Sequence, residues 1–551
     1  MEVLTFDVVA NCILQLLAGL GLFLFGMNMM SEGLEKVAGK QLKTLLGAVT
    51  KNRFMQVVLG FVITVLMQSS SATTVMLVGF VNAGVMQLAQ AVGIIMGANI
   101  GTTLTVVMMS VKLDFHFIFC FIGCILLFLP SKKFKGIKGI VPVIFGLGAL
   151  FIGMKFMSGS MSEIKEFEGF KSALASVQNP IVAVLLGAGI TALLQSSAAS
   201  IAILLSLAEL ELIGFDMCVF ILFGQNIGTC ITAVLACMGT NSTAKRVACV
   251  HLLFNCIGTV FFVIFAMIFP FSEWIEALVS DIKMQISVTH IIFNLVTTFL
   301  LLPFCKQLEK LACLIIRDDG VESEAMKLLH FDQRMLMTPA VAAEQLFNEV
   351  QRMGTIARSN FNKAMECFNE WSDEKATEVN RNEEVLDFLN KEITTCLVEV
   401  KGLDLDDRDT RLVGSLFHVV NDMERVGDHA QNILEAAQLR QKEEVKFSAK
   451  AVQELDTRSG MVNEQLDRAM KYFREQLTGP RNQQVVEDAE QQIDDMTEAL
   501  RQHHVDRLKQ HKCSAKNGMI YLDILTNLER IGDHAENIAT SVDKAFVHLQ
   551  V

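Results

Sequence analysis

Gln68-Ser69-Ser70-Ser71-Ala72-Thr73-Thr74 and, 127 residues on, Gln195-Ser196-Ser197-Ala198-Ala199-Ser200 decide how this chain folds. Each polar stretch sits in the middle of a segment that is apolar at both ends, 52–82 and 179–209. A polar island inside an apolar run predicts a broken helix. Each segment reads as a re-entrant helical hairpin that enters and leaves a membrane on one side. The same offset carries LGLFLFG (20–26) onto LGALFIG (147–153) and GANIGTT (97–103) onto GQNIGTC (224–230). It also carries Asn52 onto Asn179, Gly60 onto Gly187 and Thr64 onto Thr191. Three motif pairs in one gapless register mark a duplication.

The surroundings are membrane-like. Apolar runs near 9–30, 87–111, 115–130, 139–157, 213–238, 248–269 and 287–304 approach the length that spans a bilayer. The chain has 551 residues, too many for one ordinary core, and 52% are apolar. From about Lys306 it turns charged. The expected organisation is a membrane domain over 1–305, a linker over 306–339 and a soluble domain over 340–551. Within the first, repeat 1 runs from about 9 to 130, repeat 2 from about 139 to 270, and an extra helix covers 287–304. The net charge of −12 argues against a nucleic-acid partner. The 13 scattered cysteines contain no CxxC pair and read as reduced packing residues. The N-terminus lacks the basic region of a cleaved leader, so the first apolar run reads as a retained helix.

Charge orients the copies. The loop 31–53 carries Lys36, Lys40, Lys43, Lys51 and Arg53, whereas its counterpart 158–180 carries only Lys165 and Lys171. The positive-inside bias puts the first in the cytoplasm and the second outside, which makes the repeat inverted. Seven spans from an outside N-terminus then place Lys132, Lys133, Lys135, Lys138, Lys245, Arg246 and the soluble half inside. Inverted repeats with broken helices are a transporter architecture, with the solute site at the breaks. The expected fold is all-α: a polytopic membrane domain of two inverted repeats with re-entrant hairpins, then a tandem helical-bundle domain.

The breaks offer hydroxyls, carboxamides and glycines, and each is followed by Asn-Ile-Gly-Thr, with Asn99 and Thr102 in one copy and Asn226 and Thr229 in the other. Such oxygens hold a hard cation of sodium's kind. Freed N–H groups at a half-helix start hold an anion. No Asp, Glu, Lys or Arg falls inside the four motifs. A bare anion there would be desolvated without a counter-charge, unless cations bind with it. For one isolated Ser–Thr cluster, close helix packing is the ordinary explanation; recurrence in two copies favours a site. His251 and His290, in apolar runs, read as helix-contact histidines rather than proton carriers.

QSSSATT, QSSAAS, GANIGTT and GQNIGTC resemble the paired signatures of the type II sodium–phosphate cotransporter family. The resemblance covers most of 10–305 and implies sodium-driven uptake of inorganic phosphate by alternating access. It implies that Gln68, Ser69, Ser70, Ser71 and Thr73, with Gln195, Ser196 and Ser197, contact phosphate and sodium. Thr74, Ser200, Asn99, Thr102, Asn226 and Thr229 are added from their places in or after the motifs. Ala198 departs from the pattern: the family usually has a third serine there, and Ser200 is the candidate replacement. The implied setting is the plasma membrane, a bacterial inner membrane.

The soluble half repeats too. ERVGDHAQNI (424–433) returns as ERIGDHAENI (529–538), with helical flanks. Upstream, Glu383 and Asp387 match Glu490 and Asp494. Two similar bundles near 340–440 and 450–547 are expected. Glu424 and Asp428, and Glu529 and Asp533, lie four apart on one helix face. Facing carboxylate pairs repel unless a metal, or Arg425 and Arg530, intervenes; a solvated charged face is the third reading. This half resembles the PhoU family of phosphate-regulatory proteins. That resemblance implies two three-helix repeats, a regulatory role and, in some members, divalent or ferric metal on these acids. A homo-oligomer or a cytoplasmic regulatory partner is compatible with it.

A membrane receptor that senses phosphate without moving it is the alternative from another class. An occluded site argues against a channel. No Walker A loop, GxSxG elbow or zinc-ligand spacing points to an enzyme.

Overall fold

The computed structural model describes residues 6–47, 52–111, 116–127, 140–164, 178–317, 326–476, 484–510 and 513–547. These are helical, with no strand among them. The chain divides into two compact units, residues 1–320 and 321–551.

The first unit contains α1 (Phe6–Gly47), α2 (Arg53–Met67), α3 (Ser70–Asn82), α4 (Leu88–Ser110) and α5 (His116–Leu127). There follow α6 (Ile140–Ile164), α7 (Pro180–Leu194), α8 (Ser197–Glu209), α9 (Phe215–Gly228), α10 (Cys230–Ala236) and α11 (Ser242–Ile268). It closes with α12 (Phe271–Leu278), α13 (Ile282–Leu301) and α14 (Cys305–Ile315). The bounds of α2 and α3 recur in α7 and α8 at the 127-residue offset. Six helical stretches among the described residues are long and apolar enough to cross a membrane: 11–34, 88–110, 140–161, 215–236, 242–268 and 282–315.

Three expectations change. The stretch 31–47, read as a loop, continues α1, because Glu, Lys, Leu and Ala favour helix after hydropathy has fallen. The last helix begins at Ile282 rather than 287, where Asp281 accepts from Lys283 N and Met284 N. The expected linker starts as α14, whose Leu308 and Ala312 are buried. The apolar run 115–130 is described only as α5, and its end lies outside the described residues.

Each hairpin is clamped to the helix that follows it. A Cβ on Gly60 would fall 2.0 Å from Ile94 O, and one on Gly97 would fall 1.9 Å from Val57 O. Gly187 against Ile221 O and Gly224 against Val184 O repeat these approaches at 2.0 and 1.9 Å. Small residues permit such backbone contact between membrane helices.

The second unit is two sets of three helices: α15 (Pro339–Asn369), α16 (Asp373–Lys401) and α17 (Asp407–Lys442), then α18 (Ala449–Gln476), α19 (Gln484–Lys509) and α20 (Ala515–Val547). Their third helices, α17 and α20, pack against each other.

Candidate functional site

Both hairpins break at glutamine. Gln68 (φ 51°, ψ 21°) ends α2, and Gln195 (φ 53°, ψ 21°) ends α7, each in the left-handed region that is uncommon outside glycine. The next residue caps the new helix. Ser69 Oγ accepts from Ala72 N at 3.1 Å, and Ser196 Oγ accepts from Ala199 N at 3.2 Å. Each break therefore sets a carbonyl-rich helix end beside an N–H-rich helix start, two opposite partial charges. The far ends are matched as well: Asn52 accepts from Phe54 N and Asn179 from Ile181 N.

Across each hairpin the structure joins hydroxyls. Thr64 Oγ1 and Thr73 Oγ1 lie 3.0 Å apart, and Thr191 Oγ1 donates to Ser200 Oγ at 2.8 Å. Ser200 thus occupies the place of Thr73. Accepting in that pair leaves Ser200 its own O–H as a donor. Thr74, Thr102 and Thr229 donate to Ser70 O, Ala98 O and Gln225 O in their own helices. A hydroxyl that donates backward keeps acceptor capacity for a ligand. Asn99 Nδ2 donates to Ile95 O and Asn226 Nδ2 to Leu222 O. Gln68, Ser70, Thr73, Thr74, Asn99, Thr102, Ser200, Asn226 and Thr229 are buried; Ser69, Ser71, Ser196 and Ser197 are half-buried.

The copies differ in their wiring. Gln68 is 6% exposed; its Nε2 donates to Val65 O at 2.6 Å and its Oε1 accepts from Thr105 Oγ1 at 2.9 Å. Gln195 is exposed. Gln225 stands where the first copy has Ala98, and its Nε2 donates to Ser200 Oγ at 2.8 Å and Ser200 O at 3.0 Å. Thr105 and Gln225 are contacts that sequence reasoning missed. The interrupted repeat at Ala98 and Gln225 was the available signal for the second.

In the second unit Glu383, Asp387 and Asp428 bring oxygen atoms within 4.8 Å of one another, a donor set suited to a hard cation. Burial first, then the charges of Asp387 and Asp428, push the Glu383 carboxyl above the usual range. Burial and Asp428 do the same to Glu424. Arg425 Nη1 lies 3.4 Å from Asp428 Oδ2, and the other copy keeps that contact and adds a second. Arg501 Nη2 donates to Glu529 Oε2 at 2.6 Å, and Arg530 Nη1 lies 3.4 Å from Asp533 Oδ2. The side chains of Glu490 and Asp494 lie outside the described residues. Between the copies, His429 Nδ1 meets Asn527 Oδ1 and His534 Nδ1 meets Asp422 Oδ1, both at 2.9 Å.

A multi-pass helical membrane unit with two matched, uncharged helix breaks is the architecture of a secondary transporter. The Na+/Pi-cotransporter family matches residues 22–159 and 162–280, and the PhoU domain matches residues 350–437 and 457–542. YqeW of Bacillus subtilis (strain 168) is 32% identical over 301 residues, 53% of this chain and 95% of that protein. A protein of Escherichia coli (strain K12) named "Putative inorganic phosphate export protein YjbB" is 25% identical over 543 residues, 96% of this chain and 97% of its own length. The "Phosphate-specific transport system accessory protein PhoU homolog 1" of Thermotoga maritima is 26% identical over 232 residues, 39% of this chain and 88% of its own. The chain belongs to the Na+/Pi-cotransporter family and carries a PhoU domain. That family is one of phosphate transport rather than of enzymes.

Proposed function

We propose that this chain is a sodium-coupled carrier of inorganic phosphate that works by alternating access, with its PhoU domain as a cytoplasmic regulator. The observation that carries the reading is the pair of matched breaks at Gln68 and Gln195, polar, free of formal charge and built at apposed helix ends. A multivalent anion is tolerated in such a place only when cations arrive with it. Ser69, Ser70, Ser71, Ser196, Ser197 and the freed N–H groups of α3 and α8 take phosphate. Gln68, Gln195, Asn99, Asn226 and the threonine oxygens take sodium. A buried Gln68 beside an exposed Gln195 is the inequality that an alternating carrier displays at one moment. The lysine distribution supports an inverted repeat, an outside N-terminus and a cytoplasmic PhoU domain in a bacterial inner membrane.

Direction follows from the gradients. Each sodium ion moving down a tenfold gradient supplies about 1.4 kcal/mol. An inward sodium gradient drives uptake. A steep outward phosphate gradient reverses the same carrier, which accommodates relatives named for export. In the second unit, Glu383, Asp387 and Asp428 are the residues that would hold a divalent or ferric ion, which would screen their repulsion. Purified full-length protein in liposomes should accumulate labelled phosphate when sodium is outside. Binding without accumulation under any gradient would make it a sensor instead.

A further inference from the structure

α11 and α13 carry one motif twice, outside the 127-residue register. His251-Leu252-Leu253-Phe254-Asn255 on α11 is answered by His290-Ile291-Ile292-Phe293-Asn294 on α13. Each copy serves one of the two repeats. His251 Nε2 lies 3.4 Å from Asn99 Oδ1, and His290 Nε2 lies 3.2 Å from Asn226 Oδ1. Both imidazoles are buried, at 0% and 1% exposure.

The proton positions follow from the partners. Asn99 Nδ2 donates to Ile95 O at 3.0 Å and Asn226 Nδ2 to Leu222 O at 2.9 Å, so each carboxamide turns its oxygen to the histidine. An amide oxygen only accepts, so each imidazole holds its proton on Nε2. That leaves Nδ1 bare in both rings, and neither Nδ1 has a protein partner. The asparagine one turn on repeats the arrangement. Asn255 Nδ2 donates to His251 O and Asn294 Nδ2 to His290 O, while both Oδ1 atoms are without a protein partner. Four unmatched buried acceptors in equivalent places weaken a core that leucines would fill without penalty. Such violations of packing logic collect where function requires them.

We propose that His251 and His290 are positioning residues for the cations: each fixes one motif asparagine so that its carboxamide oxygen, not its NH2, is presented to the solute. The imidazole takes one of the two lone pairs on that oxygen and leaves the other for a cation. Without the histidine the carboxamide is held only by the Nδ2 bond to its own helix carbonyl, and its oxygen loses the partner that fixes its direction. α11 also spans the repeats. While His251 orients Asn99 of the first copy, Asn255 Nδ2 reaches Cys230 Sγ at 3.3 Å and Thr259 Oγ1 donates to Phe223 O at 3.1 Å in the second. The inference rests on the sodium-coupled reading above.

The test is phosphate flux by the full-length protein in liposomes, read as a function of sodium concentration. His251→Gln and His290→Gln place an amide N–H where Nε2–H was and should keep the half-saturating sodium within about twofold of the original. His251→Leu and His290→Leu should raise it about fivefold or more, one hydrogen bond's worth, with a smaller change in maximal rate. His251→Asn, whose NH2 falls nearer the Nδ1 position, should behave as the leucine variant does, and it serves if the leucine variant does not fold. Unchanged sodium half-saturation in the leucine and asparagine variants overturns the proposal. So does equal impairment of His251→Gln and His251→Asn in protein that melts normally. Sodium-independent flux by the unaltered protein overturns both this inference and the carrier reading beneath it.

Discussion

Replacing Gly187 by alanine should disable the protein, whereas replacing Gly189, two residues along the same helix, should not. A Cβ on Gly187 would lie 2.0 Å from Ile221 O and 3.1 Å from Gln225 N. The partner is backbone, so no rotamer change relieves the clash, and α7 must retreat from α9 by roughly 1 Å to reach even a tight contact. The Thr191–Ser200 and Gln225–Ser200 bonds, both 2.8 Å, bridge the parts that would separate. Overpacking costs about 1–3 kcal/mol. Two weakened buried hydrogen bonds add about 1 kcal/mol each. Alanine's better helix propensity returns up to about 1 kcal/mol. The net loss is about 2–4 kcal/mol, enough to lower the melting temperature by roughly 5–10 °C in a domain of a few hundred residues. Gly189 meets nothing within 4 Å, so its alanine variant keeps only the propensity gain. Melting of the two purified variants in detergent, followed by size-exclusion chromatography, reads the difference, and phosphate flux reads its consequence. Equal melting and equal flux would refute the close approach of α7 to α9.

Ser70→Ala and Gln195→Ala should each abolish phosphate flux without preventing membrane insertion; unchanged flux in both would remove the helix breaks from the site. Glu383 and Glu424 titrate above the ordinary range in the folded chain, so the folded form binds more protons than the unfolded one. Burial of these charged carboxylates and their repulsion therefore destabilise α16 and α17 at neutral pH, an effect relieved as pH falls through the raised values. Asp387→Asn should slow hydrogen exchange in α16 and α17 at pH 7 and by progressively less as pH falls; faster exchange at pH 7 would contradict the sign. Added magnesium or manganese should give the unaltered chain the same protection at pH 7 and give none to Asp387→Asn. Truncation after Arg317 should leave transport with altered control. Truncation after Gln307 should instead destabilise the membrane unit, because it removes the buried Leu308 and Ala312 and the Ile316 carbonyl that receives Arg246 Nε at 3.0 Å; equal melting of the two truncations would show that α14 is dispensable.

The helix breaks were legible because a duplicated sequence reports each feature twice. Asn52 and Asn179 mark where α2 and α7 begin, and the Gln-Ser pairs mark where they end. Hydropathy was a poorer guide to helix length. It measures where the bilayer stops, and α1 continues beyond that point to Gly47 on residues that favour helix in water. The side-chain partners were less accessible. Thr105 reaches Gln68 and His290 reaches Asn226 across 37 and 64 residues, pairings set by helix packing rather than by local pattern. The same limit applied to the acidic motifs. Spacing put Glu424 with Asp428 and Glu529 with Asp533, but only the packed bundle shows Arg501 bonded to Glu529.

The two copies share a backbone and differ in what surrounds it, and the difference has a mechanical meaning. Glycine contacts lock α2 to α4 and α7 to α9, so neither hairpin can slide on its own partner helix without backbone collision. In the alternating carrier proposed above, hairpin and helix would therefore move together against the equivalent first helices, α1 and α6. That boundary is where the copies diverge. Ser31 on α1 donates to Met67 O at 2.7 Å, beside the first break. Ser158, its equivalent on α6, donates instead to Glu209 Oε2 at 3.2 Å, at the far end of α8. Twelve residues of helix separate Ser197, next to the second break, from Glu209, a rise of roughly 18 Å at 1.5 Å per residue. The glutamine dihedrals at the two breaks match within a few degrees while the partners of Ser31 and Ser158 differ, so the hairpin geometry is set within each repeat and not by its contact with α1 or α6.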